Sequence, residues 1–164
     1  MNNILLNLRK VRLFLFDLEG VLYLGEEDLS SFYTVDAEEK IKVLFETLSI
    51  NGSMVGVITG RNKDEVTSFF DKKGFTLFAS ATLDKLGFVQ KLIDKKKLKF
   101  ENVFYIGDNL LDIPLLQKVG VSAAPKHARR EVKRVVDFVC EGESALEIIV
   151  NINNLLVQSY KEGT

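Results

Sequence analysis

The chain holds one cysteine, Cys140, in 164 residues. It cannot form an internal disulfide, and a lone thiol suits a reducing compartment, the cytoplasm. Cys140 ends the apolar stretch 135–140 and reads as a small buried hydrophobe. There is one histidine, His127, so no His/Cys cluster exists for zinc. Charge of one sign is missing too. The 22 basic and 23 acidic residues leave a formal net charge of -1, without the basic excess of a nucleic-acid binder. No apolar run approaches the ~18 residues of a membrane-spanning helix. Residues 1–10 carry scattered asparagines and no apolar block before a small-residue cleavage site, so no signal peptide is read. Repeats, low-complexity segments and linkers are absent. What remains is 46% hydrophobic and 27% charged, the composition expected of one folded domain over residues 1–164.

Short apolar runs alternate with amphipathic stretches. Residues 13–16, 54–58, 75–79, 103–106, 121–124 and 136–140 read as strands, the first a continuous apolar run expected of a strand buried on both faces. Residues 37–49, 64–73, 84–97, 110–119, 128–135 and 143–158 read as helices, with apolar residues at helical spacing. Gly74 ends the second of them. Residues 23–36, with the acidic cluster at 26–28, read as a loop or short hairpin. The alternation predicts an α/β fold of Rossmann-like, doubly wound kind, with a mainly parallel sheet and helices on both faces. Only 16 residues separate Gly20 from Ala37, and 25 separate Thr59 from Lys85. Neither gap can house a separate cap domain.

In such sheets ligands bind beyond the carboxyl ends of the strands. The first strand is followed by Asp17-Leu18-Glu19-Gly20, the second by Thr59-Gly60-Arg61, the fourth by Gly107-Asp108-Asn109, with Asp112 a turn later. Carboxylates from the first and fourth strands would repel one another unless a hard cation such as Mg²⁺ joined them. Thr59 and Gly60 suit an anion, and Lys85 can neutralise a phosphoryl group from the side. Each residue alone also has a plain reading. Asp17 and Asp108 can be helix caps or turn residues, Thr59-Gly60 a turn, Lys85 a surface lysine. Their joint order along the strand ends carries the functional reading.

That order has a family counterpart. Residues 14–22, apolar strand then Asp17-Leu18-Glu19-Gly20-Val21-Leu22, resemble the first motif of the haloacid-dehalogenase superfamily. Val57-Ile58-Thr59-Gly60-Arg61 resembles its second motif, Asp84-Lys85-Leu86 its lysine motif, and residues 105–112 its fourth. Residues 120–125, 131–133 and 136–139 resemble the tail of the cap-less subgroup that holds the phosphatases of 3-deoxy-octulosonate 8-phosphate and of nine-carbon sialic-type sugar acids. The resemblance implies that Asp17 is the nucleophile, that Glu19 is the general acid/base, and that Thr59, Gly60 and Lys85 hold the phosphoryl oxygens. It implies Mg²⁺ on Asp17, the Glu19 main-chain carbonyl and Asp108, with Asp112 supporting the metal site or Lys85. It also implies a small phosphorylated sugar or sugar acid as substrate, and a homo-oligomer, in the subgroup a tetramer, whose neighbouring subunit shields the uncapped site. Arg61, Lys126 and His127 are candidates for the substrate side. The last two begin a basic run, 126–134, that also reads as a solvated helix face.

The sequence departs from the subgroup at several places. Glu19 stands where the pattern has Asp, and Asn109 where it has a second Asp. Val35-Asp36-Ala37 replaces Arg-Asp-Gly, Glu141-Gly142-Glu143-Ser144 replaces a Gly-Gly-rich segment, and the stretch 23–31 is shorter. Two readings of Glu19 follow. If the pocket has retreated to fit the longer acid, Glu19→Asp slows turnover; if Glu19 is a step toward lost function, the change speeds it, the direction that the other departures favour. The second case would leave a weakened domain with a binding or regulatory role. A receiver-like signalling domain fits less well, since its acids lie on other strands.

Overall fold

The computed structural model describes residues 2–25, 30–49 and 52–161. Six strands are introduced in chain order: β1 (Leu13–Phe16), β2 (Met54–Ile58), β3 (Leu77–Ala79), β4 (Val103–Ile106), β5 (Val121–Pro125) and β6 (Phe138–Cys140). They form one sheet in the order β3-β2-β1-β4-β5-β6. Every pairing is parallel, so the mainly parallel sheet expected from sequence is wholly parallel among the described residues. The helices are α1 (Asn2–Leu8), α2 (Val35–Ser49), α3 (Glu65–Asp71), α4 (Lys85–Lys96), α5 (Ile113–Leu116), α6 (Arg130–Lys133) and α7 (Ala145–Lys161).

Side-chain alternation along the strands builds two cores. In β1, Phe14 and Phe16 face α1, α2, α3 and α7, while Leu13 and Leu15 face α4, α5 and α6. In β4, Phe104 and Ile106 join the first core, Val103 and Tyr105 the second. All eight are essentially inaccessible, which is why both strands read as unbroken apolar runs. The Phe14 and Phe104 rings meet at 5.5 Å between centroids, which fixes the centre of the sheet.

The chain winds outward from β1 in both directions, so the order reverses between β1 and β4. A crevice forms at that reversal, beyond the carboxyl ends. Among the described residues neither connection that could carry a cap holds a second sheet; residues 59–84 are used up by α3 and β3.

Four elements differ from the sequence reading. The helix expected at 110–119 is a 3₁₀ turn, Leu110–Asp112, followed by the single-turn α5. Asp112 draws the chain back by accepting the N–H groups of Asp108 (3.1 Å) and Asn109 (3.0 Å), which tightens the first turn. The helix expected at 128–135 shortens to α6, Arg130–Lys133. α1 has no counterpart in the expectation; its Leu5 and Leu8 are buried in the first core. Of the loop or hairpin expected at 23–36, residues 26–29 lie outside the described residues. The remainder holds an isolated bridge between Glu19 and Tyr23, and α2 starts two residues before the expected 37.

Candidate active site

The crevice is a cleft of about 300 Å³ that gathers residues from β1, β2, β3 and β4 ends. Asp17 continues β1, its N–H donating to the Ile106 carbonyl at 3.0 Å. Its Oδ1 accepts the Leu18 N–H at 2.7 Å, and its Oδ2 lies 2.7 Å from Lys85 Nζ. Lys85 is the first residue of α4, whose N-cap Asp84 accepts the Gly87 N–H. That cap sets the start of the helix, and so aims Lys85 into the crevice from the side, as the sequence predicted. The ammonium has three donors and three partners: Asp17, Asp112 Oδ1 at 2.6 Å and the Tyr105 hydroxyl at 3.0 Å.

Asp112 is fully buried. Its Oδ1 accepts Lys85 and the Tyr105 hydroxyl (2.6 Å), and its Oδ2 accepts two main-chain N–H groups. Of the two supporting roles open to it, the observed contacts are to Lys85 and to the loop that carries Asp108. Nothing in the sequence marks Tyr105 as a site residue. Its hydroxyl reaches the site because residue 105 points to the α4 face of β4, a placement that the sequence allows through the period of two but that an apolar strand conceals.

Asp108 stands across the crevice from Asp17. Gly20, at φ +76, makes room for it: a Cβ there would lie 2.1 Å from Asp108 Oδ2. Gly107 likewise makes room for Asp112, whose carboxyl carbon would meet a Cβ at 2.6 Å. One oxygen each from Asp17, Asp108 and Asp112 lie within 4.8 Å of one another.

Burial pushes the Asp17 carboxyl up from 3.8 to about 8; Lys85 pulls it down and Asp112 pushes it up again. Burial and the Asp112 charge also raise Asp108, against the pull of His127 and Lys85. Lys85 is desolvated, yet the attraction of Asp17 and Asp112 lifts it above its ordinary 10.5. Burial and the two carboxylates push Tyr105 far up, so its hydroxyl stays a donor.

The second strand delivers the turn at Thr59 and Gly60. Thr59 is buried, its Oγ1 accepts the Arg61 N–H at 3.0 Å, and its carbonyl accepts the Thr82 N–H at 2.9 Å. Gly60 and Leu83 line the same cleft.

A model of the haloacid dehalogenase-like hydrolases matches residues 23–145, three quarters of the chain, including Thr59, Lys85, Asp108 and Asp112. The chain belongs to this family. Over 136 residues it is 31% identical to the 3-deoxy-D-manno-octulosonate 8-phosphate phosphatase of Escherichia coli (strain K12), covering 79% of this chain and 70% of that one. It is 25% identical over 150 residues to the phosphoglycolate phosphatase of Thermoplasma acidophilum, covering 79% and 66%. In fold it matches the 3-deoxy-D-manno-octulosonate 8-phosphate phosphatase of Moraxella catarrhalis, solved with magnesium, phosphate and KDO. That TM-score is 0.78 at 19% identity, over 97% of this chain and 92% of that one. The family is thus the one that the four motifs resemble, and the doubly wound parallel sheet of this chain, without a separate cap, matches the fold of the Moraxella catarrhalis structure.

The candidates for the substrate side sit at the rim, and each has a protein partner. Arg61 Nη1 lies 2.7 Å from Glu19 Oε1, and its Nε 2.6 Å from Asp64 Oδ2. Lys126 lies 3.5 Å from Glu143. His127 Nε2 lies 2.7 Å from the Gly20 carbonyl, which ties the β5 loop to the β1 loop. Glu19, Gly20, His127 and Glu143 line a neighbouring groove that continues from the cleft.

Proposed function

We propose that the chain is a Mg²⁺-dependent phosphomonoester hydrolase acting through an aspartyl-phosphate on Asp17, on a small phosphorylated sugar or sugar acid. One observation carries this: a buried carboxylate, Asp17, faces a buried lysine and a second carboxylate across the reversal of the sheet. The family relationship to sugar-acid phosphatases supports the substrate class.

The residues present fit Mg²⁺. The cluster offers only carboxylate oxygens, which a hard cation prefers, and one oxygen from each of its three members lies within 4.8 Å of the others. Asp17, the Glu19 main-chain carbonyl and Asp108 would hold the ion, with Asp112 behind them. When bound it would screen the nucleophile from the substrate's negative charge.

The steps then fall to the protein's own groups. Thr59 and Lys85 hold the phosphoryl oxygens, with Gly60 allowing close approach. An Asp17 oxygen attacks phosphorus and the ester P–O bond breaks, while the Glu19 carboxyl gives its proton to the departing alcohol oxygen. Glu19 then takes a proton from water. The water oxygen attacks phosphorus, the P–O bond to Asp17 breaks, and phosphate leaves with Asp17 restored.

We take residues 1–164 as one such domain, working in the cytoplasm. Cys140 is compatible with that setting: it is buried and its thiol is pushed up to about 12, hence inert. No described helix is long and apolar enough to cross a membrane. A homo-oligomer, in the tetrameric manner of the subgroup, would cover the open cleft, at whose mouth Leu83 and Leu111 are exposed. Light scattering tests this, and a monomer at working concentration refutes it.

The deciding assay is steady phosphate release from p-nitrophenyl phosphate and a panel of sugar and sugar-acid phosphates with Mg²⁺, Asp17→Asn serving as the blank. Release far above the blank is expected. Release equal to the blank, with Mg²⁺ still bound, would instead indicate a weakened domain of the same fold.

A further inference from the structure

Glu19 differs from the aspartate of the family pattern by one methylene, and the rim of the cleft shows what that methylene reaches. Its Oε1 sits 2.7 Å from Arg61 Nη1. The guanidinium is itself held from other sides. Its Nε donates to Asp64 Oδ2 at 2.6 Å, and Asp64 is the N-cap of α3, fixed reciprocally by Thr67. Its central carbon stands 5.4 Å from the Tyr23 ring centre, within cation–π range. The Arg61 backbone is pinned too, its N–H by Thr59 and its carbonyl by Ala81 N–H at 2.7 Å. Tyr23 returns the support to the acid's own loop, since its carbonyl accepts the Gly20 N–H at 2.9 Å beside the Glu19–Tyr23 bridge.

We infer that Arg61 is a positioning residue for Glu19, and that the longer acid and the arginine form one matched unit for proton transfer. The inference rests on the phosphatase reading above. The Glu19 side chain is 55% exposed and that of Arg61 27%. A half-exposed glutamate turns about three bonds and visits many rotamers. Proton transfer needs its oxygen within about 2.6–3.2 Å of the leaving oxygen. A guanidinium that is anchored to a helix cap and an aromatic ring removes most of that freedom. The contact takes one carboxylate oxygen; proton transfer needs only the other. An aspartate at position 19 would withdraw its carboxyl by roughly one C–C bond, ~1.5 Å, and lose the guanidinium. Glu19→Asp therefore slows turnover, the opposite of the direction that the departures from the subgroup pattern favour.

The test compares the unmodified chain, Arg61→Lys, Arg61→Gln, Glu19→Asp and the double variant Glu19→Asp/Arg61→Gln on two esters. One is p-nitrophenyl phosphate, whose leaving group needs little protonation; the other is a sugar phosphate, whose alkoxide needs a proton. Arg61→Gln should lower kcat on the sugar ester by about 10- to 100-fold, and markedly less on the aryl ester. KM should change by less than about threefold, as for a group acting in the transition state. Arg61→Lys should recover part of the loss. The double variant should be no slower than the worse single one, since both remove one unit. Equal losses on both esters with a raised KM would make Arg61 a substrate-binding group and overturn the inference, as would additive losses or a faster Glu19→Asp. A crystal structure in which Arg61 does not sit on Glu19 would overturn it whatever the kinetics. No turnover above Asp17→Asn on either ester would instead sink the phosphatase reading itself.

Discussion

The two halves of the cleft are built differently. The inner half, Asp17, Lys85, Tyr105 and Asp112, is nearly sealed: the Lys85, Asp17 and Asp112 side chains are 6%, 7% and 0% exposed. Each polar group there meets partners from at least two elements. The outer half, Glu19, Arg61, Lys126 and His127, lies closer to water; Glu19, Lys126 and His127 each rest on one side-chain contact, and Arg61 alone is held from several sides. In the proposed reaction the inner half handles a phosphoryl group, which is the same in every substrate. The outer half would handle the proton and the leaving group, which differ. Rigidity and burial thus follow the invariant part of the proposed reaction, and adjustable surface pairs follow the variable part.

The largest effect expected from this contrast is at Lys85. Lys85→Ala leaves Asp17 and Asp112 buried without their cation, and should cost about 3 kcal/mol or more. For a chain of this size that is a fall in Tm of roughly 6–12 °C. Arg61→Ala, which breaks two equally short but partly exposed pairs at the rim, should cost about 1 kcal/mol. Equal costs in denaturant titrations would break the comparison.

Gly20→Ala comes next. The residue's φ of +76 strains any side chain, and the added Cβ would displace the Asp108 carboxylate. A fall in turnover of about 100-fold is expected from misplaced groups of this kind, together with weaker Mg²⁺ binding by calorimetry. Unchanged Mg²⁺ affinity would mean that Asp108 tolerates the shift and is no ligand.

The inner half should also make the metal-free protein pH-sensitive. Asp17 binds its proton more tightly folded, at about 8, than unfolded, at 3.8. The stability that this supplies is present below the unfolded value and is lost as pH rises toward about 8; Asp108, also raised, acts in the same sense. In a chelator, Tm should therefore be lower at pH 8 than at pH 6, and added Mg²⁺ should restore more of it at pH 8. A flat profile would show that Lys85 already balances the cluster.

The smallest effect belongs to Lys126→Ala. Its partner Glu143 is 3.5 Å away and both side chains are mostly exposed, so stability should move by less than about 0.5 kcal/mol. A rise in KM for sugar-acid phosphates, absent for neutral sugar phosphates, would show that Lys126 exchanges Glu143 for a substrate carboxylate.

The sequence made Asp17, Lys85 and Asp112 of the inner half legible, and it named all four outer residues but not the contacts that hold them. Asp17, Thr59, Lys85 and Asp108 could be placed at one sheet edge because buried parallel strands announce themselves as apolar runs, and the residue after each run must lie at its carboxyl end. Tyr105 was hidden by the same logic, since inside such a run an aromatic reads as core. The Arg61–Glu19 contact joins residues 42 apart on separate loops, and no local pattern encodes it. α1 is concealed in the sequence because its asparagines weaken helical propensity; packing against α7 and the sheet buries Leu5 and Leu8. The 110–119 segment kept its helical spacing but lost its length to the hydrogen bonds that Asp112 makes to the loop.

The packing of α1 also has a consequence in time. Arg9 Nε donates to the Ser159 carbonyl at 2.6 Å, a contact between residues 150 apart. During synthesis, α1 finds this partner only once α7 emerges. Until then Leu5 and Leu8, and the inner face of the sheet that α7 covers, stay in water. Contacts of such long sequence separation slow folding, and apolar surface left waiting is where a growing chain aggregates. Completion of α7 is then the event that closes the first core.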